Sequence, residues 1–186
     1  MQVIGNFING KRVASESNRK APVFNPATGE QTKLVTLATV SETEAAITVA
    51  QKAFETWSKV TPLSRSRIMF RFKALMEQNI DQLAEMITLE HGKVLSDAKG
   101  ELTRGIEVVE FSCGIPHLLK GEHSLNVGRG VDSFSLMQPL GVCAGISPFN
   151  FPVMVPMWMF PIALACGNTF IMKPSEKDPS VIMRVA

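Results

Sequence analysis

Two short polar clusters break an otherwise uncharged stretch of chain. No Asp, Glu, Lys, Arg or His occurs from Ser133 to Met172. Inside that stretch stands Ser147-Pro148-Phe149-Asn150, and just after it Lys173-Pro174-Ser175-Glu176. Asn150 is a neutral amide between two phenylalanines. In a dry site its NH₂ can donate to a developing oxyanion; the competing use of an Asn here is to cap a helix starting near Pro152. Lys173 and Glu176 can hold ribose hydroxyls of a nucleotide beyond a strand end, or pair loosely in a solvated turn. Arg104, further upstream, can fork onto a substrate carboxylate, or pair on a helix surface with Glu101 or Glu107. Cys113, His117 and His123 have no zinc-ligand spacing, so no metal site is expected. Cys143 and Cys166 have no visible base and read as core thiols. G-x-G-x-x-G and P-loop fingerprints are both absent.

These residues need elements to position them. Leu140–Ile146 is a near-continuous apolar run, as a parallel strand covered on both faces would be. A proline-bearing apolar helix follows, stopped at Gly167, and Thr169–Met172 is a second buried strand. Strand, helix and strand make one βαβ unit, and ligands bind beyond the carboxyl ends of such strands. Both polar clusters lie there. A membrane helix is the rival reading of the tract, but the run Val153–Cys166 is shorter than the roughly 20 residues a span requires.

Upstream, Asn9-Gly10 predicts a hairpin, and Asn25-Pro26 and Thr28-Gly29 predict turns. Ser41 and Glu44 form a capping-box pattern ahead of Ile47, Ala50, Phe54 and Trp57 on one helical face. Thr61-Pro62 opens a second helix with Ile68, Phe72, Leu75 and Met76 inward. Asp81 is the expected cap of a third helix, carrying Leu83 and Ile87 and ending near Gly92. Ser96 is the expected cap of a fourth, carrying Leu102, Ile106, Val109 and Cys113. Ser124–Val127 and Val131–Leu136 alternate polar and apolar residues around Gly128-Arg129-Gly130, a β-hairpin with one solvated or partner-facing side.

The composition bounds the function classes. Hydrophobic residues are 45% and charged residues 19%, with a net charge of +2 spread along the chain. That supports a packed core and gives no clustered basic face for nucleic acid. Three cysteines without C-x-x-C indicate a reducing compartment rather than a disulfide framework, and no secretory signal pattern opens the chain. Asp178-Pro179-Ser180 begins a further helix just before Ala186. One βαβ unit and the start of the next are fewer than a doubly wound sheet needs, so the expectation is the front portion of a larger protein.

Together, PFNFP at Pro148–Pro152, ALACGN and GNTFIMKPSE ending at Glu176, and EHGK at Glu90–Lys93 resemble the aldehyde dehydrogenase superfamily. The resemblance extends over essentially the whole chain. VPMWMFPIALACGNTFIMKPSEKDPS and TRGIEVVEFSCGIPHLLKGE resemble its methylmalonate-semialdehyde branch, as does Phe149 where much of the superfamily carries Trp.

The resemblance implies an α/β fold: an incomplete doubly wound parallel sheet with a helical N-terminal region and a β-hairpin arm. It implies residues 1–120 as N-terminal strands and helices of the nucleotide-binding domain. Residues 121–137 would be the hairpin of an oligomerisation arm, and 138–186 the first βαβ unit of the NAD-binding domain. Asn150 would stabilise the oxyanion and Arg104 would bind the substrate carboxylate. Ile146, Ser147, Phe149, Lys173 and Glu176 would contact NAD, with Glu176 disfavouring a 2′-phosphate. A cysteine attacks a small semialdehyde in this branch, hydride passes to NAD, and the thioester leaves on CoA with loss of CO₂. None of Cys113, Cys143 or Cys166 aligns with that nucleophile, and the family's glutamate base also lies beyond the equivalent of Ala186. These 186 residues are therefore expected to be inactive alone. The complete enzyme would be a homodimer or homotetramer, cytoplasmic in preference to the mitochondrial matrix, with no membrane or nucleic-acid partner. Alternatives are a hydrolytic aldehyde dehydrogenase for another carboxylated aldehyde and a non-catalytic module acting by association.

Overall fold

The computed structural model describes residues 1–186. Five short strands open it: β1 (Gln2–Ile4), β2 (Asn6–Ile8), β3 (Lys11–Val13), β4 (Lys20–Asn25) and β5 (Glu30–Thr36). β2 and β3 pair antiparallel. Asn9 and Gly10 between them sit at φ 53° and 74°, the left-handed pair that suits a two-residue hairpin. β4 and β5 form a second hairpin around Asn25–Gly29, and β1 joins the other side of β5 in parallel.

Four helices follow: α1 (Val40–Trp57), α2 (Pro62–Gln78), α3 (Ile80–His91) and α4 (Leu95–Cys113). The capping box of α1 uses Thr39 and Glu42, not Ser41 and Glu44. Glu42 wins because it accepts from Thr39 N at 2.7 Å and also from Glu16 N at 3.0 Å, tying the preceding loop to the helix. Those donors, Thr39 first, hold its carboxyl down to about 2. α2 begins at Thr61-Pro62 as expected. Asp81 is not a cap: α3 starts at Ile80 without a side-chain cap, and Asp81 pairs with Lys99 at 2.6 Å. Ser96 lies one position inside α4, which has no side-chain cap of its own. Packing sets that start, since Ala98 and Leu102 are fully buried within the first two turns.

The inward face of α2 is rotated from the expected stripe. Met69 and Met76 are buried while Leu75 is exposed, because the polar Arg65 and Ser66 also face inward and satisfy distant carbonyls. Ser66 Oγ donates to Cys113 O at 2.6 Å, and Arg65 Nε to Ala165 O at 2.8 Å. α1 has no fully buried residue, and Ile47 is exposed. The α3 and α4 stripes match expectation: Leu83, Ile87, Leu102, Ile106, Val109 and Cys113 are all buried. α3 ends on Gly92 at φ 86°, a left-handed C-cap.

A one-turn helix, α5 (Ile115–Leu118), leads to the hairpin β6 (His123–Gly128) and β7 (Val131–Phe134). Every residue of both strands is exposed, and they pair only with each other.

The last unit is β8 (Val142–Ile146), α6 (Met154–Ala165), β9 (Thr169–Lys173) and α7 (Ser180–Val185). β8 and β9 are parallel, running in register from Val142 opposite Thr169 to Ile146 opposite Lys173. The expectation of a strand covered on both faces fails here. Only Gly145 of β8 is buried, Cys143 is half-buried, and Ala144 and Ile146 are exposed, because this sheet has just two strands. α1 and α6 pack on it. Asn168 locks the entry to β8: its Oδ1 accepts from Leu140 N and Gly141 N at 2.7 and 3.0 Å. One core cluster joins α2, α3, α4, α6 and α7 through Met76, Ile87, Leu102, Val153, Met157 and Val181. No helix is long and apolar enough to cross a membrane.

Candidate functional site at the carboxyl ends of two parallel strands

Ile146 and Lys173 face each other at the strand ends, and Ser147 N donates to Lys173 O at 3.1 Å, extending the ladder by one residue. Both polar clusters therefore leave the sheet side by side. Lys173 Nζ lies 3.3 Å from Glu176 Oε2, with the two side chains 54% and 45% exposed. An ion pair that open contributes little to stability, so both heads are available to a ligand. The Glu176 carboxyl is held below the usual carboxylate range by its own backbone N–H and by Lys173. Ser147 is buried, and its Oγ has no hydrogen-bond partner. Lys177 Nζ sits 4.2 Å above the half-exposed Phe149 ring, so the second cluster touches the first.

Asn150 does not cap α6. The helix starts at Met154, and its cap comes from another element. Glu101, on α4, accepts from Val153 N at 2.9 Å and Met154 N at 3.1 Å through Oε1. Its Oε2 takes Lys93 Nζ at 2.6 Å, and the same ammonium donates to Asn150 O at 3.0 Å. The Glu101 and Lys93 side chains are 0% and 6% exposed. A carboxylate at a helix N-terminus meets both unpaired N–H groups and the positive end of the dipole. The sequence reading placed Glu101 on the surface and overlooked Lys93 as a positioning group. The available signal was spacing: Glu101 falls between Ala98, Leu102 and Gly105 on the apolar stripe of α4, where a charge needs a buried partner. Gly105 completes that face, since a Cβ there would meet Met157 Sδ at 2.9 Å.

Arg104 is exposed and pairs with neither Glu101 nor Glu107. Its guanidinium lies 5.7 Å from the Phe151 ring centroid, and Lys93 Nζ lies 4.6 Å from the same ring. Arg104 thus sits against the residue next to Asn150 with its charge unpaired.

A second buried carboxylate holds the other loop. Glu90 Oε2 accepts from Ser180 N at 3.0 Å at the start of α7, and Oε1 takes Lys33 Nζ at 2.6 Å. Asp178 nearby is buried with both oxygens unpartnered. Burial first, and the Glu90 and Glu101 charges with it, push its pKa up to about 7. Burial also raises the Cys113 and Cys166 thiols, so neither is poised as a thiolate. An apolar groove of about 380 Å³ lined by Trp57, Ile68, Met69 and Leu164 contains none of these groups.

The aldehyde dehydrogenase family model matches residues 13–186. A malonate-semialdehyde dehydrogenase of Pseudomonas aeruginosa is 52% identical over 186 residues, covering all of this chain and 37% of the relative. The acylating mitochondrial methylmalonate-semialdehyde dehydrogenase of Arabidopsis thaliana is 50% identical over 182 residues, 97% of this chain and 30% of the relative. A crystal structure of methylmalonate-semialdehyde dehydrogenase from Oceanimonas doudoroffii superposes with a TM-score of 0.97 at 58% identity, over all of this chain and 38% of that one. The chain therefore spans less than two-fifths of the length of these relatives. Its two-stranded parallel pair and N-terminal helices match the corresponding part of complete aldehyde dehydrogenase structures. With a match of that extent, the chain belongs to the aldehyde dehydrogenase family.

Proposed function

We propose that the full-length protein oxidises malonate or methylmalonate semialdehyde with NAD and CoA, giving an acyl-CoA and CO₂. The observation that carries this is Arg104, an exposed guanidinium without a carboxylate partner, stacked near Phe151 beside Asn150. Such a group suits the free carboxylate of a semialdehyde. The relatives' names, malonate- and acylating methylmalonate-semialdehyde dehydrogenase, agree with that chemistry. So does a Sinorhizobium meliloti structure described by the same enzyme name and complexed with NAD, 51% identical to this chain.

The residues present fit NAD. Lys173 and Glu176 offer an ammonium and a carboxylate just past β9, and Ser147 keeps a buried hydroxyl free. In this reading the pair holds ribose hydroxyls, and Ile146, Ser147 and Phe149 line the cleft. Bound NAD would supply the hydride acceptor. Asn150 would present its amide to the aldehyde oxygen, and Arg104 would orient the substrate carboxylate. Residues 1–120 and 138–186 would belong to the nucleotide-binding domain, and 121–137 to an oligomerisation arm of a homodimer or homotetramer. We read the enzyme as cytoplasmic, with the mitochondrial matrix as the alternative. The nucleophilic cysteine and general base would come from outside these 186 residues, leaving them inactive alone.

The test is NADH formation by the full-length protein with each semialdehyde, with and without CoA. CoA-dependent turnover is expected. Equal rates without CoA reject the acylating assignment in favour of hydrolysis. Arg104→Ala is expected to raise KM for the carboxylated substrate at least about tenfold, the loss of a charge-assisted contact. An unchanged KM rejects the role of Arg104.

A further inference from the structure

We infer that Lys93 and Glu101 form a buried clamp that positions the Asn150 amide; this rests on the oxyanion role proposed for Asn150. The clamp holds the loop without touching the Asn150 side chain. Lys93 Nζ donates to Asn150 O, and Glu101 Oε1 accepts from Val153 N and Met154 N. The Lys93 ammonium also lies against the Phe151 ring between these points. Every anchor is a main-chain atom or the neighbouring ring, so the Asn150 side chain stays exposed and free to donate. A donor that stabilises a transition state acts only if it is already in place, because reorienting it during the reaction cancels the gain.

The clamp itself is rigid. Glu101 is fully buried, and both its oxygens are occupied. It projects from α4, which is fastened to α6 by the close approach at Gly105. Removing Lys93 alone would leave the Glu101 charge buried and unpaired, so the informative variant neutralises both groups. Lys93→Met/Glu101→Gln keeps an amide oxygen to cap α6 and deletes the Lys93 ammonium, with its tether to Asn150 O and its contact with the Phe151 ring, without leaving a buried charge unpaired.

In the full-length enzyme the double variant is expected to keep cooperative melting. Its amides at Asn150 and Phe151, beside the lost tether, should exchange hydrogen faster than wild type, while Val153 and Met154 keep the cap. Its kcat should fall about tenfold, a fraction of what a full oxyanion donor supplies, with KM for aldehyde and NAD held within about twofold. In an Asn150→Ala background the same double change should cost almost nothing further, because positioning and positioned groups act as one unit. Lys93→Arg, which retains a charged donor, should restore most of kcat. Unchanged exchange at Asn150 and Phe151, or a kcat loss that adds fully to that of Asn150→Ala, overturns the inference. If Asn150→Ala itself leaves kcat intact, the oxyanion role fails. Exchange at the loop then still decides the tether.

Discussion

Glu101 shows how one side chain joins folding to the site. Its carboxylate caps α6 and neutralises Lys93 in a place without solvent. Glu101→Ala would strand a buried ammonium and uncap two helix N–H groups, so a stability loss on the order of 3–5 kcal/mol is expected. Denaturant unfolding checks it, and a loss under about 1 kcal/mol would contradict the clamp's energetics. Asp178 predicts a change of opposite sign. Its pKa rises from the ordinary 3.8 to about 7 in the fold, so the folded state keeps a proton that the unfolded chain gives up. The penalty is absent below the unfolded value, grows through the interval, and is complete above about 7. Asp178→Asn should therefore stabilise by roughly 1–3 kcal/mol at alkaline pH and make little difference in acid. Melting curves across that window would read it; a pH-independent effect argues against a buried, unpaired carboxylate. Lys173→Ala should weaken NAD binding about tenfold in the full-length enzyme, measured by titration, with small effect on the aldehyde KM.

Among the elements, α6 depends most on its neighbours. It carries no charge and holds Pro161 within its length, where one intrahelical hydrogen bond is lost. Other helices supply what it lacks: Glu101 at the N-terminus and Arg65 at the C-terminal carbonyl of Ala165, each with the sign that complements the dipole. Gly167 makes the second contact possible. It sits at φ 98°, and a Cβ there would lie 3.2 Å from the Arg65 guanidinium carbon. Gly167→Ala should cost on the order of 1–3 kcal/mol and loosen the entry to β9, seen as a lowered melting temperature. No loss would mean that the turn relaxes away from this conformation. Local patterning found α6 and its two strands, but not the groups that cap it. Asn150, the nearest capping residue in sequence, lies three positions before the cap position Val153, and Glu101 lies 52 residues from Val153.

For the whole molecule, surface area is the telling quantity. The 20.4 kDa chain exposes 11138 Å², against about 8,800 Å² for a compact monomer of that mass. The excess includes apolar groups in the hairpin and on the open parallel pair, among them Leu125, Phe134, Leu140 and Ile146, each at least 70% exposed. Surface of that kind calls for a covering partner. Produced alone, residues 1–186 are expected to associate, with a sedimentation mass above the monomer's and increased binding of a hydrophobic dye. A monodisperse, cooperatively melting monomer would refute this.

What the sequence determined by itself was local. Asn9-Gly10, Thr61-Pro62, Gly92, the α3 and α4 stripes and the β8–α6–β9 order all follow from neighbours within a few positions, where backbone sterics and helical periodicity act. That the chain leaves β8 and β9 side by side, bringing Ser147–Asn150 and Lys173–Glu176 to one sheet end, followed too, because a βαβ unit leaves little freedom in where its strands terminate. Only the tertiary structure decided which charges are buried and what they hold. Lys33 reaches Glu90, Lys93 reaches Glu101, Arg65 reaches Ala165, and Arg104 is left unpaired beside Phe151. A buried charge is tolerable only with its partner in place, and Glu101's cap groups, like Arg65's carbonyl, lie dozens of residues away along the chain.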